Sequence, residues 1–97
     1  MKPIRIEPEA EQELWDSVDF YERREAGIGL EFEREDREAV QEIQIDPERF
    51  LTGVKGTRRL LMQRFPFIIH FAELPDAIWI LAFAHTSRKP GYWRRRL

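Results

Sequence analysis

Residues 64–85 read Arg64-Phe65-Pro66-Phe67-Ile68-Ile69-His70-Phe71-Ala72-Glu73-Leu74-Pro75-Asp76-Ala77-Ile78-Trp79-Ile80-Leu81-Ala82-Phe83-Ala84-His85. Two runs rich in β-branched and aromatic residues flank the turn signal Leu74-Pro75-Asp76, which predicts two antiparallel strands over 66–72 and 77–85. Pro66 suits the start of a strand, where no ladder hydrogen bond is asked of its nitrogen. Successive side chains alternate between faces, so Phe67, Ile69 and Phe71 oppose Ile68, His70 and Ala72. By the same rule Ile78, Ile80 and Ala82 oppose Trp79, Leu81 and Phe83. A one-residue slip in pairing exchanges these sets, and either register leaves large apolar side chains on both faces.

Just before this hairpin, Thr57 to Arg64 reads as another strand, completing a meander, and Phe50 to Gly56, with two glycines and a lone Lys55, reads as a loop. Further upstream the period changes. Ala10, Leu14, Val18 and Tyr21 recur at helical spacing, with Pro8 fitting the first turn and Glu9, Glu11 and Glu13 favouring the positive helix end. Gly27 and Gly29 stop this helix. A second helix follows from about Leu30 to Ile45, with Phe32, Ala39, Val40 and Ile43 on its apolar side and Asp46-Pro47 as its stop. Asp36 falls on that apolar stripe and is expected at its edge or in a salt bridge. Lys2 to Ile6 is a short first strand. The order is β-α-α-β-β-β, an α+β fold in which a two-helix hairpin covers one face of a small antiparallel sheet. Residues 1–97 form one domain.

The 97 residues carry 16 Lys+Arg and 18 Asp+Glu, for a formal charge of -2, and no cysteine. Disulfides, thiolate metal sites and cysteine nucleophiles are excluded at once. The first residues contain no apolar h-region, and the longest apolar run, Ala77 to Ala84, is far shorter than the roughly 20 residues that span a bilayer. No membrane association is expected, and the expected location is the cytoplasm. The charge is unevenly placed: residues 1–50 hold 7 Lys/Arg and 16 Asp/Glu, a balance of -9, and residues 51–97 hold 9 and 2, a balance of +7. Such a domain either presents a local positive field to an anionic partner or folds its acidic helices onto its basic sheet.

Helices cover one side of the sheet only. The apolar side chains on the other side call for a partner protein, self-association as a homodimer, or the tail folding back. Catalytic inventory is short. Neither His70 nor His85 has a second metal ligand at a recognisable spacing, Ser87 is too near His85 in sequence for a triad, and Gly27-Ile28-Gly29 follows a helix and lacks the third glycine of a phosphate loop. No metal or cofactor is indicated. The segment His85-Thr86-Ser87-Arg88-Lys89-Pro90-Gly91-Tyr92-Trp93-Arg94-Arg95-Arg96 stands out, since arginine forks beside aromatic rings suit nucleic acid or an acidic peptide. Arg58, Arg59 and Arg64 are expected to frame a basic cleft with Arg88. Were that cleft to cut RNA, His85 and Tyr92 would move the protons and Arg64 and Arg88 would stabilise the phosphorane charge.

Taken in order, Arg58-Arg59-Leu60-Leu61, Arg64 to Phe71, Ile78 to His85 and Arg88 to Arg96 resemble the RelE/ParE superfamily of bacterial type II toxins: an F-P-Y/F-x-I-x-Y/F strand, an I-x-I-L strand ending in His, and an R-x-P-x-Y-W tail. Ala10, Leu14, Tyr21, the Gly27/Gly29 turn, Phe32, Ile43 and Pro47 follow the same template. The resemblance implies a cognate antitoxin that folds over the toxin, placed here on the apolar sheet face of Ile68, His70, Trp79, Leu81 and Phe83 and on the basic cleft, with DNA contacted only through that antitoxin. It further implies one of two targets, DNA gyrase for ParE-like members or ribosome-bound mRNA for RelE-like nucleases. A lysine-poor loop and a slightly acidic total favour the ParE-like side. Arg58, Arg59, Arg88, Tyr92, Trp93, Arg94, Arg95 and Arg96 are then the expected target-binding residues. Arg64, His85, Arg88 and Tyr92 are the catalytic candidates of the nuclease alternative, and a non-toxic antitoxin-binding module is the third reading.

Overall fold

A computed structural model describes residues 1–97. The chain runs β1 (Ile4–Ile6), α1 (Pro8–Arg24), α2 (Ile28–Ile45), β2 (Leu51–Thr52), β3 (Arg58–Leu61), β4 (Phe67–Glu73), β5 (Ile78–His85) and a 3₁₀ tail segment, Tyr92–Arg96. The α+β order and the antiparallel meander β3-β4-β5 are as expected. Two differences make it a mixed sheet of five strands, where an antiparallel sheet of four was expected, in the order β1-β5-β4-β3-β2. β1 pairs with β5 in parallel, because the helical hairpin carries the chain back across the face before β3 begins. β2 lies where a loop was expected. At two residues it is too short to show a period, and it is held by Arg58, whose Nη1 donates to the carbonyls of Glu48 and Phe50 and to Thr52 Oγ1.

The hairpin turn explains its glycines. Gly27 adopts φ +95°, a left-handed conformation that a side chain rarely tolerates. At Gly29 a Cβ would lie 2.5 Å from the carbonyl oxygen of Val18, so α1 and α2 can approach there only without one. Glu22 then reaches over the turn, and its carboxylate accepts from the backbone N–H groups of Gly27 at 2.7 Å and Gly29 at 2.9 Å. A negative group at the α2 start meets the unsatisfied donors and the positive end of the helix.

Ala10, Leu14 and Val18 of α1 and Phe32, Ala39 and Ile43 of α2 are buried against Phe67, Ile69, Phe71, Ile78, Ile80 and Phe83 of the sheet. Asp36, expected at an edge or in a salt bridge, is instead 4% exposed, with its Oδ1 lacking any hydrogen-bond partner. Its position on the stripe carries it inward with Phe32 and Ala39.

Register is set by a bulge. His70 pairs with Ala82 and Phe71 with Ile80, so Leu81 is an extra residue in β5. Alternation breaks there, and Phe83 turns to the helix side with Ile78 and Ile80 rather than sharing the face of Trp79 and Leu81. Phe83 is therefore a core residue, which corrects its placement on a docking surface.

Candidate functional site

The face of the sheet away from the helices is floored by Ile68, His70, Ala72, Trp79, Leu81, Ala82 and Ala84. It is not bare. The tail segment folds back over it and buries Trp93 with Leu81, Ala82 and Ala84 in a second apolar cluster. The Trp93 indole stacks on the His70 imidazole, centroids 4.4 Å apart and 26° between planes. Of the three ways to cover the surplus face, tail folding is thus realised. Leu81, fully buried, is out of a partner's reach, while Ile68, His70 and Trp79 remain half-exposed.

Glu13 on α1 holds the tail in place. Its carboxylate accepts from Tyr92 Oη at 2.6 Å and from both terminal nitrogens of Arg96 at 3.0 and 2.9 Å. Arg96 also donates to the carbonyl of Leu81 at 2.9 Å, satisfying the backbone group that the bulge leaves over, and its side chain is 4% exposed. One turn earlier on α1, Glu9 takes a bidentate pair from Arg95 at 3.0 and 2.6 Å. That pairing, chiefly its hydrogen bond, lowers the pKa of the Glu9 carboxyl. Burial, then the Glu13 hydrogen bond, raises the Tyr92 phenol above its ordinary value. Arg95 and Arg96, expected to meet a target, are already neutralised within the molecule.

A cleft of about 280 Å³ lies between the Gly53–Thr57 loop and the 88–94 turn. Arg59, Arg88, Lys89 and Arg94 are exposed there, and none of the four forms an ion pair. Arg88 lies 3.9 Å over the Tyr92 ring. His70 forms part of the floor, held neutral at a pKa of about 4 by burial and by the charge of Arg59, against the opposing pull of Glu13. His85 is at the rim, and its Nδ1 is engaged by the backbone N–H and hydroxyl of Ser87 at 3.0 and 2.7 Å.

Arg64 is absent from this cleft. β3 ends at Leu61 rather than running to residue 64, so Arg64 lies on the turn before β4, where its side chain reaches Glu31 at 2.9 Å and Glu35 at 4.0 Å on α2. Arg58, spent on the β2 backbone, lines the cleft as a structural residue. Sequence reasoning missed Glu9 and Glu13 as tail partners. The signal was present as the acidic run on α1, but nothing in the period of a helix shows which distant arginine it meets. No cluster of three or more His, Cys, Asp or Glu is gathered to hold a metal, and no helix is long and apolar enough to cross a membrane.

No family model matches the chain, and no curated protein matches it. A solved structure described as "Chromosomal ParDE TA system from P. aeruginosa" superposes on it with a TM-score of 0.77 at 22% identity, covering 88% of this chain and 96% of that one. The chain has the RelE/ParE fold. In this RelE/ParE fold the helical hairpin and the tail grip the sheet from opposite sides, and the basic cleft opens on the tail side, between β3 and the segment after β5.

Proposed function

We propose that this chain is the toxin component of a bacterial type II toxin–antitoxin system, that a cognate antitoxin neutralises it in the cytoplasm, and that it acts in the ParE-like manner by binding DNA gyrase. Arg59, Arg88 and Arg94, with Tyr92 and Trp93 behind them, are the surface offered to the target. Half-exposed Ile68, His70 and Trp79 are the part of the sheet face that an antitoxin can touch. DNA is contacted through the antitoxin, and the growth-inhibiting and plasmid-stabilising roles follow from that pairing.

The observation that carries binding over catalysis is the scattering of the acid–base set. A ribonuclease of the expected kind needs a proton donor, a base and cations around one phosphate. Here Arg64 is paired across the molecule with α2, and the Tyr92 proton is donated to Glu13, with its pKa raised further from neutral. One observation favours the second reading, a RelE-like ribosome-dependent endoribonuclease: His85, Arg88 and Tyr92 share the cleft with Arg59.

Induced expression without an antitoxin tests both. Inhibited gyrase supercoiling with intact mRNA is the expected result. Codon-registered mRNA cuts that disappear in His85→Ala or Tyr92→Ala would replace the first reading with the second. A well-folded protein with no effect on growth would leave the non-toxic antitoxin-binding module.

A further inference from the structure

A second hollow, of about 310 Å³, lies between α1, the start of β4 and the end of β5, and shares only His85 and Arg88 with the basic cleft. Asp16, Ser17, Phe20 and Tyr21 recur at i, i+1, i+4 and i+5, so one face of α1 forms a wall, and Phe67 and Phe83 lie beneath. The rings meet edge to face: Phe20 on Tyr21 at 5.5 Å and 80°, Tyr21 on Phe67 at 6.2 Å and 64°, and Phe67 on His85 at 5.1 Å and 82°. Phe20 is 53% exposed, so this series ends on an open ring. Two charges of opposite sign border the hollow. Asp16 takes only the Gln12 amide, at 2.8 Å, and Arg88 has no acidic partner. No ion pair joins the two, and the nearby Glu13 is already engaged by Tyr92 and Arg96. His85 adds a donor beside Arg88, because its Nδ1 accepts the backbone N–H of Ser87, which places the ring proton on Nε2. A phosphate in this hollow would face Asp16, and a hydrocarbon would strip water from both charges without replacing it.

We infer that this hollow binds an aromatic α-amino acid as its zwitterion, with the ammonium on Asp16, the carboxylate on Arg88 and His85 Nε2, and the ring among Phe20, Tyr21 and Phe67. An α-amino acid carries both charges on one carbon, so a single small molecule satisfies the acidic wall and the basic wall together. Its ring continues the edge-to-face series that ends at Phe20, which an aliphatic side chain does not. The volume is at the small end of the range for ligand sites and suits one such molecule rather than a longer chain. This site goes beyond the toxin reading and does not depend on it. Arg88 borders both cavities, so an occupant of the hollow engages one residue of the surface proposed for the target.

Amide shifts of the isotope-labelled full chain test it with four probes: L-phenylalanine, 3-phenylpropanoate without the ammonium, phenethylamine without the carboxylate, and L-alanine without the ring. L-phenylalanine is expected to bind in the millimolar range, as suits a ligand of its size, with shifts centred on residues 16–21, 67 and 83–88. Each of the other probes is expected to bind roughly fivefold or more weakly. Asp16→Asn should weaken L-phenylalanine by that factor and leave 3-phenylpropanoate unchanged. Arg88→Gln should weaken it likewise and leave phenethylamine unchanged. A merely structural role for either residue would weaken every probe alike. Phe20→Ala should narrow the gap between L-phenylalanine and L-alanine. All three side chains are exposed, so circular dichroism should show the fold retained in each variant. No saturable shift with L-phenylalanine, shifts centred instead on Arg59 and Arg94, equal binding of L-alanine, or variants that weaken every probe alike would each overturn the inference. None of these outcomes bears on gyrase inhibition, so a failure here leaves the toxin reading standing.

Discussion

Asp36 sits on the inner stripe of α2, 4% exposed, with no hydrogen-bond partner at Oδ1. Burial first, and the negative charge of Glu33 second, push its pKa from 3.8 up to about 7. An unfolded chain releases that proton near pH 4, whereas the folded one keeps it until about pH 7. Between those limits the folded state binds more protons, so stability falls as pH rises through the window and the full deficit stands above it. A shift of this size corresponds to about 4 kcal/mol. Asp36→Asn cannot ionise, so urea unfolding is expected to show it gaining on the parent as pH rises from about 4 to 7 and holding its lead beyond; a difference that stays constant across that range would refute the buried charge. The stripe position of Asp36 was legible in the sequence. Its depth was not, because helical periodicity places a residue on a face without saying how far the opposing face extends over it.

Elements show the same division between what a pattern encodes and what packing adds. The spacing of Ala10, Leu14 and Val18, the Gly27/Gly29 break and the three meander strands were all readable, because each is a local signal of period or turn chemistry. The Leu81 bulge was not. A single extra residue leaves no mark in composition, yet it moves Phe83 to the other face and leaves a carbonyl for Arg96 to take. That contact makes the tail an element in its own right, clamped by Glu13 through Tyr92 and Arg96. Glu13→Gln keeps the shape and removes the charge, leaving the largely buried Arg96 guanidinium with only Glu9, 3.6 Å away, as a counter-ion. Breaking a buried pair in this way costs on the order of 3 kcal/mol. Thermal unfolding should therefore register a clear loss for Glu13→Gln and little for Glu9→Gln, whose partner Arg95 is exposed. Equal losses for the two would mean that the clamp is not specific to Glu13.

At the scale of the whole molecule, the acidic first half and basic second half meet in part inside it: α1 carboxylates take the tail, and α2 carboxylates take Arg64. This intramolecular pairing accounts for Arg64, Arg95 and Arg96, while Arg59, Arg88, Lys89 and Arg94 gather unpaired at the cleft. It also explains how a chain of 97 residues with two apolar sheet faces can cover both. The first face is covered by helices chiefly through apolar contact, with Arg64 paired to α2 at its edge. The second depends on a segment of five residues anchored by ionic hydrogen bonds at its rim and one indole at its centre. Ionic anchors are weaker holders than a packed helix, so the tail face is the one that can open. A double variant, Glu13→Gln/Arg96→Gln, leaves the helix-side core untouched and removes the rim. The expected result is a red-shifted tryptophan emission as Trp93 lifts from His70, accompanied by concentration-dependent self-association in sedimentation velocity as Leu81, Ala82 and Ala84 come into solvent. Adding Ile68→Lys on that same face should return the variant to a monomer by placing a charge within the exposed patch. A double variant that shows the emission shift yet sediments as a monomer at every concentration would mean that the uncovered face is not adhesive, and that the tail serves only to complete the core.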